Sequence, residues 1–388
     1  MVRAVVAGVG ESHPVRASGR RVTSHLFAAI DAALEDAGIS ATDVDGVITE
    51  AKLTPTALSI DDLVPALGIQ NLRFQALSSP VGAGIMLAVA QAHEAVTSGR
   101  ATHVLTYFGV DWGSFGSGPS GIHGAMDAKR EVEYPVGFGG PQLYFATMAT
   151  RYAADFGLSR PELEDLLGGV AVAARRNALR HEHAQLRRDL SLDEYRAEEF
   201  FAEPLRRSDI SLLSDGAVAI LVSAEGAVRP ERRGVEIAAW AHRVQSIPDQ
   251  AFYTQSRDLP AFPATTAVAD EIERTLGASV ASAGVLELYD CFSVATVVQL
   301  EALGVTKPGQ TAALVADGAL EIGGERPTNT HGGLLAHGYL LGASHVAEAV
   351  RQLRHDAAGT QVEGVDSAFV GAGPGRQYTG LYLRRTDA

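Results

Sequence analysis

The chain has 388 residues, of which 46% are hydrophobic and 20% charged, and its formal net charge is −14. This composition is that of a folded globular protein, long enough for two to three domains, and the negative charge argues against a nucleic-acid binder. The single cysteine, Cys291, excludes a disulfide framework and a four-cysteine zinc site, so a cytoplasmic protein is the simplest expectation. No signal-peptide pattern and no run of about 18 apolar residues occurs, so no membrane segment is expected.

The first part of the chain alternates between predicted strands and helices. Residues 3–8 predict a buried strand, 24–37 a helix that ends at Gly38, and 46–49 a second strand. A glycine-opened helix within 81–99 then leads into a strand at 103–107. That helix is apolar on nearly every face, which is typical of a helix buried between sheets.

The same order of elements returns in the second part. The predicted ranges are a strand at 234–239, a helix at 267–276, a turn and a strand within 278–290, a glycine-opened helix at 338–353 and a strand at 367–371. Aligning Gly38 with Gly277 and Gly46 with Gly284 changes the spacing by one residue. We therefore expect a mixed α/β fold of two similar halves, with the starts of the two glycine-opened helices facing each other.

Residues 113–207 belong to neither repeat and predict an insertion that becomes helical from Pro141. Its later part is densely charged, and the concentrated basic residues are Arg175, Arg176, Arg180, Arg187 and Arg188. A solvated helical face is the favoured interpretation. A clamp for an anionic ligand is the alternative.

The stretch 329–346, NTHGGLLAHGYLLGASHV, combines a Gly-Gly turn with three histidines and one tyrosine. If Tyr339 lies at the mouth of a helix, the positive end of the helix dipole favours an ionised phenol. The alternative is a glycine-rich connection with surface histidines.

Five motifs together resemble thiolase-fold proteins of the sterol-carrier-type thiolase and lipid-transfer-protein group. They are SGRATHVLTYFG (98–109), PLRRSDISLLSDGAVAILVS (204–223), ELYDCFSVATVVQLEALG (287–304), NTHGGLLAHGYLLGAS (329–344) and GAGPGR (371–376). The resemblance extends over nearly the whole chain and implies two similar halves stacked as a layered α-β-α-β-α sandwich with an inserted helical loop domain. The corresponding boundaries are 1–112 plus 208–228, 113–207, and 229–388.

The chain departs from the thiolase pattern at the positions of the catalytic residues. Gly82 stands near the place of the nucleophilic cysteine, and Phe369 at the place of the second, acid/base cysteine. The histidine of the Gly-His-Pro motif is Tyr339 here, and Tyr289 precedes Asp290 where the family has asparagine or histidine. Ser78 and Ser79 lie slightly upstream of Gly82, but a serine without an evident base is a poor nucleophile. Claisen chemistry through an acyl-enzyme is therefore not expected.

Because it lacks the thiolase cysteines and has tyrosines at two other thiolase motif positions, the chain resembles the subgroup of steroid side-chain aldolases. This resemblance implies retro-aldol cleavage of a β-hydroxyacyl-CoA, in the steroid case a 17-hydroxy-20-carboxyl-CoA that gives a 17-ketone and propionyl-CoA. Tyr289 and Tyr339 are then the acid and the base, in an order that the sequence leaves open. Lowering a phenol pKa by three units requires about 4 kcal/mol of preferential phenolate stabilisation. The alternative is a concerted proton transfer without a free phenolate.

The other candidate residues lie in the same motifs. Asp290 and His331 are predicted to be catalytic, His331 as an oxyanion donor or by tuning the tyrosines. Predicted substrate-binding residues are Gly82, Asn329, His337, Gly371 and Gly373, with a structural role for His337 left open. Cys291 is interpreted as a small buried hydrophobic residue.

No cofactor beyond the CoA of the substrate and no metal is expected, since the two histidines of His181-Glu182-His183 do not face each other on a helix. GVGESH (8–13) lacks the third glycine of a dinucleotide-binding motif. The resemblance implies a homodimer and a small partner protein with an OB-fold and a zinc ribbon. The alternative functions are a non-catalytic acyl-CoA or lipid carrier, and a scaffold subunit with a vestigial pocket.

Overall fold

The computed structural model describes residues 2–50, 58–78, 82, 84–116, 118, 121, 124, 127, 129–228, 234–245, 261–373, 375 and 377–386. The strands are β1 (Ala4–Val15), β2 (Gly46–Glu50), β3 (Phe74–Ser78), β4 (His103–Asp111), β5 (Phe200–Ala202), β6 (Leu205–Arg206), β7 (Asp215–Ala224), β8 (Val235–Val244), β9 (Val285–Leu288), β10 (Ser367–Ala372) and β11 (Gln377–Arg385). The α-helices are α1 (Val22–Ala37), α2 (Ile60–Ala66), α3 (Gly84–Thr97), α4 (Pro141–Phe156), α5 (Arg160–Ala178), α6 (Leu192–Ala197), α7 (Pro263–Leu276), α8 (Ser293–Ala302), α9 (Thr311–Ala316), α10 (Gly333–Ala336) and α11 (Ala343–Arg354).

Nine of these strands are hydrogen-bonded in the order β3-β2-β4-β7-β1-β8-β11-β10-β9. The first five come from the first half of the chain and the last four from the second half. The two parts meet where β1 pairs with β8 over only two residue pairs, Val5 with Glu236 and Val6 with Val235. Parallel pairs join β2 to β3 and β4, and β9 to β10, while the pairs along β7 and β11 are antiparallel.

The helices form three layers around the two parts of the sheet. Helix α1 packs on β1, β4 and β7, and α7 packs on β8 and β11. Helices α3 and α11 lie between the parts, since α3 contacts β4 and β8, and α11 contacts β10 and β1. The predicted α-β-α-β-α sandwich of a thiolase fold is therefore confirmed.

The predicted helix stops are confirmed in both halves. Gly38 ends α1 with a φ of 66°, and Gly277 ends α7 with a φ of 70°. Both are left-handed conformations that glycine adopts at little cost. The equivalent glycines thus terminate equivalent outer helices.

Helix α11 begins five residues later than predicted. Leu341 and Gly342 have φ values of 49° and 79°, which are not helical, so the helix begins only at Ala343. Strands β3, β7 and β11 were not among the sequence predictions. The shift of the helix start means that Tyr339 lies in a loop between α10 and α11.

Within 113–207, the helical part predicted from Pro141 contains α4, α5 and α6, and α5 packs against α8, α9 and α10. The domain boundaries themselves stay a prediction. Arg176 and Arg188 form partly exposed ion pairs with Glu321 and Glu194, as a solvated face would. Ser79 and residues 374 and 376 of the GAGPGR turn lie outside the described residues. Among the described helices, none combines the length and apolar character needed to cross a bilayer.

Candidate active site

The two tyrosines that the sequence singled out lie against each other. The hydroxyl oxygens of Tyr289 and Tyr339 are 2.8 Å apart, and each residue is 5% exposed. Tyr289 directly follows β9, where its N–H donates to the carbonyl of Gly371 and its own carbonyl accepts from the Gln299 side chain. We call this hydrogen-bonded pair the tyrosine dyad.

Tyr339 is held in place by residues of the first half and the insertion. Its N–H donates to Ser214 Oγ at 3.0 Å, and that hydroxyl donates to Gln185 Oε1 at 2.9 Å. The Tyr339 ring lies 5.5 Å from the Trp112 ring, centroid to centroid. Ser214 and Trp112 were not predicted from the sequence, because their contacts with Tyr339 join residues more than 100 positions apart.

Glycines from both halves lie against Tyr289. A Cβ atom added at the predicted pocket residue Gly82 would lie 3.6 Å from Tyr289 Cζ and 3.5 Å from Gly373 Cα. A Cβ at Gly342, which was not predicted from the sequence, would lie 3.4 Å from Tyr289 Cδ2 and 3.3 Å from Met86 Cε. The starts of the two central helices thus meet at the dyad, as the repeat predicted. A substrate-binding role for Gly82, Gly371 and Gly373 stays a prediction.

The environment keeps both phenols neutral. Burial raises the pKa of Tyr289 well above its ordinary value, and the neighbouring Tyr339 and Cys291 raise it further. Burial is also the main cause that raises the pKa of Tyr339, followed by Cys291. The expected phenolate at a helix terminus is therefore not found, since no helix begins at Tyr339. Of the two protonation schemes left open by the sequence, the concerted one fits this environment.

Two further ionisable groups lie close enough to act on the dyad. Cys291 is 6% exposed, and burial raises the pKa of its thiol well above the usual range. Glu50, also 6% exposed, is at the end of β2 and raises the pKa of both tyrosines. The sequence analysis missed Glu50, although an acidic residue that closes a buried strand is a recognisable signal.

Asp290 binds backbone rather than the phenols. Its carboxylate accepts from the N–H groups of Leu334 at 2.7 Å and Leu335 at 3.4 Å, in the first turn of α10. A Cβ at Gly333 would lie 2.0 Å from Asp290 Oδ2, so only glycine fits there. Asp290 therefore anchors the Gly-Gly turn, and its predicted catalytic role remains a prediction.

Asn329 has a similar anchoring contact. Its side-chain oxygen accepts from Leu288 N–H at 2.7 Å and its amide group donates to Leu288 C=O at 2.9 Å. Both polar ends of the side chain are thus used to hold the loop against β9. Substrate binding by Asn329 also stays a prediction.

His331 and His337 are buried in a line of rings that we call the histidine row, composed of His181, His337, His331 and His345. Successive ring centroids are 4.7, 4.8 and 4.8 Å apart. Neither His331 nor His337 has a hydrogen-bond partner for its ring nitrogens among the described residues. Burial lowers the pKa of both rings well below the usual range, so they are neutral. The predicted roles of His331 and His337 stay predictions, and His345 was missed as a candidate.

Comparison with known proteins places this site in a family. Residues 248–379 match the Thiolase C-terminal domain-like family. The chain is 32% identical over 393 residues to a 17-hydroxy-3-oxo-4-pregnene-20-carboxyl-CoA lyase of Mycobacterium tuberculosis, covering 98% of this chain and 99% of the relative. It is 31% identical over 392 residues to a steroid side-chain-cleaving aldolase of Thermomonospora curvata, covering 98% and 97%.

A solved structure described as "Ltp2-ChsH2(DUF35) aldolase" matches the fold with a TM-score of 0.90 at 28% identity, covering 100% of this chain and 98% of that one. The sequence relatives extend over both halves and the insertion, so the whole chain shares their ancestry. The same family is indicated by the tyrosine dyad, by the absence of the thiolase cysteines and by these relatives. The chain therefore belongs to the thiolase superfamily, in its sterol-carrier-type group, and is a carbon–carbon lyase similar to the steroid side-chain-cleaving aldolases.

Proposed function

We propose that this enzyme cleaves the side chain of a steroid 17-hydroxy-20-carboxyl-CoA by a retro-aldol reaction, giving a 17-ketosteroid and propionyl-CoA. The observation that carries the proposal is the buried pair of neutral phenols at 2.8 Å, in a fold whose usual cysteines are absent. The names of the two relatives with over 30% identity support the substrate class.

The reaction needs one proton moved from oxygen to carbon. One phenol accepts the β-hydroxyl proton while it passes its own proton to the second phenol. In the same step the electron pair of the breaking carbon–carbon bond moves to the α-carbon, and enolate character develops in the thioester. The second phenol gives its own proton to the α-carbon as it receives the proton of the first phenol. The β-oxygen is left as a ketone, and both tyrosines end neutral.

This scheme requires no ionised phenol at any stage, which suits side chains whose pKa is raised by burial. It also requires no covalent intermediate and no cofactor, because CoA is part of the substrate. The N–H groups of Gly82 and Gly373 themselves are proposed to hold the thioester oxygen as enolate character develops. Which tyrosine faces the β-hydroxyl is left open.

We also propose that the enzyme binds a small partner protein, forms a homodimer and is located in the cytoplasm. A DUF35 protein with an OB-fold and a zinc ribbon is the proposed partner, supported by the description of the solved aldolase. A homodimer is proposed through β3, one of the two edge strands of the nine-stranded sheet, where Leu77 is 60% exposed. The single, buried cysteine fits the proposed cytoplasmic location.

The direct test is incubation of the protein, alone and co-expressed with a DUF35 partner, with the steroid CoA thioester in D₂O. We expect a 17-ketosteroid and propionyl-CoA that carries one deuterium on its α-carbon, identified by mass spectrometry. A β-ketoacyl-CoA with free CoA serves as the control for thiolysis, and no cleavage of it is expected.

Tight binding of the steroid thioester without turnover, in the presence of the partner, would overturn the proposal in favour of a carrier. Absence of binding would favour a scaffold. Cleavage of the β-ketoacyl-CoA would instead indicate a thiolase.

A further inference from the structure

We propose that Glu287, His331 and His345 form a binding site for one divalent transition-metal ion with the coordination preferences of Zn²⁺. One ligand atom from each residue lies within 4.8 Å of the other two. All three residues are no more than 1% exposed. They come from three separate elements: β9, the Gly-Gly turn and α11.

Each of the three side chains has at least one polar atom without a hydrogen-bond partner among the described residues. Glu287 Oε2, His345 Nδ1 and both ring nitrogens of His331 lack hydrogen-bond partners among the described residues. His331 Nδ1 is 3.1 Å from Glu287 Oε2 without the alignment of a hydrogen bond. A buried polar atom without a partner costs about 1–3 kcal/mol, so several in one place indicate a missing occupant.

The opposite atoms of the same side chains are held firmly. Glu287 Oε1 accepts from the N–H and the hydroxyl of Thr330, both at 2.9 Å. His345 Nε2 is 3.2 Å from Asp290 Oδ1, which fixes the ring and leaves Nδ1 free. Metal-binding histidines and carboxylates are typically oriented by such outer contacts.

The donor set determines the kind of ion. Two imidazoles and one carboxylate suit Zn²⁺ and similar transition metals, whereas Mg²⁺ and Ca²⁺ prefer oxygen ligands alone. Ligand atoms about 2.1 Å from a tetrahedral ion are about 3.4 Å apart. The present separations of up to 4.8 Å therefore require only small side-chain rotations to close around an ion.

The position of the site gives it a role that is separate from the chemical step. Glu287 lies two residues before Tyr289, and His331 and His345 flank Tyr339 in sequence. An ion held by the three would link the segments that carry the two phenols. We infer that it positions the dyad, and the inference does not depend on which substrate is cleaved.

The test uses the full chain and measures bound metal rather than activity. Protein treated with a chelator and then dialysed is titrated with Zn²⁺ by calorimetry, and its metal content is measured by mass spectrometry after gel filtration. We expect one equivalent of tightly bound Zn²⁺ and a rise in Tm of a few degrees on loading, because the ion binds only the folded state. Co²⁺ in its place should give the visible absorption of a tetrahedral nitrogen–oxygen site.

The Glu287→Gln and His345→Gln variants should lose this equivalent and the rise in Tm. Two controls should keep both: His103→Gln, which removes a buried histidine bonded to Ser223, and His183→Gln, which removes a half-exposed one. Failure of the folded wild-type chain to retain Zn²⁺ overturns the proposal. Retention of Zn²⁺ by a folded His345→Gln variant does so as well.

Discussion

The two central helices occupy equivalent places in the two halves, yet their buried faces differ in chemistry. Helix α3 (GIMLAVAQAHEAVT) buries Ile85, Met86 and Val89 with no exposure. Helix α11 (ASHVAEAVRQLR) buries Val346 and Val350, but also a set of polar side chains: Ser344, His345, Glu348, Gln352 and Arg354. Helix α3 is held in place by apolar packing, whereas α11 is held in place by hydrogen bonds and ion pairs of its polar side chains as well.

The polar groups of α11 connect it to the first half. Arg351 pairs with Glu11 of β1, and Arg354 pairs with Asp36 of α1 at 2.7 Å. Within the second half, Glu348 accepts from the Thr330 hydroxyl at 2.6 Å. The repeat thus preserves the backbone arrangement, while the ion pairs between the halves described here come from α11. The following predictions test this division.

The largest expected effect is on catalysis by the dyad in the second half. Tyr289→Phe and Tyr339→Phe should each lower kcat about 10²- to 10⁴-fold, because each removes one member of the proton path. The double variant should lose little more than either single variant, since groups that act as a unit are not additive. Steady-state kinetics on the steroid thioester measures this. Tyr107→Phe, which alters a buried first-half tyrosine bonded to Leu58, is the matched control and should keep full activity. Losses that multiply in the double variant would contradict a shared path.

The second prediction breaks the polar link between the halves. Glu11→Gln leaves the Arg351 charge buried without its partner and should lower the free energy of unfolding by about 3–5 kcal/mol. Urea denaturation at pH 7 measures the difference. Glu225→Gln, which breaks an exposed pair with Arg3, should cost no more than about 1 kcal/mol. If the two substitutions lowered the free energy of unfolding equally, the buried ion pair would contribute no more to stability than the exposed one.

The same carboxyl predicts a pH dependence. Burial alone would raise the pKa of Glu11, but the Arg351 guanidinium, together with His337 and His13, outweighs burial and the pKa falls from 4.5 to about 2. A lowered folded-state pKa stabilises the fold above pH 4.5, and this stabilisation is lost as the pH falls from 4.5 towards 2. Glu11→Gln should flatten that part of the curve of unfolding free energy against pH.

The third prediction concerns the apolar helix. Ile85→Ala should cost about 2–5 kcal/mol of stability through the cavity it leaves, and Ile85→Val about 0.5–1.5 kcal/mol. Thermal and urea unfolding measure both. Val136→Ala, at a position that is 78% exposed, should change stability by less than about 0.5 kcal/mol. A cost for Ile85→Ala as small as that of the control would show that α3 is not fixed by packing.

The smallest expected effect is at the basic residues of the insertion. Arg180→Ala and Arg187→Ala, both at exposed positions, should change stability by less than about 0.5 kcal/mol and leave KM for the thioester unchanged. A rise in KM of tenfold or more would support the alternative of an anion clamp.

The fold was predictable from the sequence because both halves show the same order of hydrophobic patterns and have glycines at equivalent positions. Gly38 and Gly277 gave the ends of the outer helices, and the motif positions gave Tyr289 and Tyr339. What escaped prediction depends on contacts between distant segments. The support of Tyr339 by Ser214, and the approach of Glu50 to the dyad, exist only after the sheet has formed. The late start of α11 depends on two left-handed residues that the sequence pattern did not reveal.

Strand β1 also bears on the order in which the chain matures during synthesis. It pairs with β7 from Ala4 opposite Ala224 to Val15 opposite Asp215, so it cannot complete its ladder until about 220 residues have left the ribosome. At about 5–20 residues per second this delay is roughly 10–40 s. During that time β1 is an unpaired apolar edge, and its pairing with β8 comes later still. Nascent chains of this protein should therefore need chaperone protection until β7 emerges.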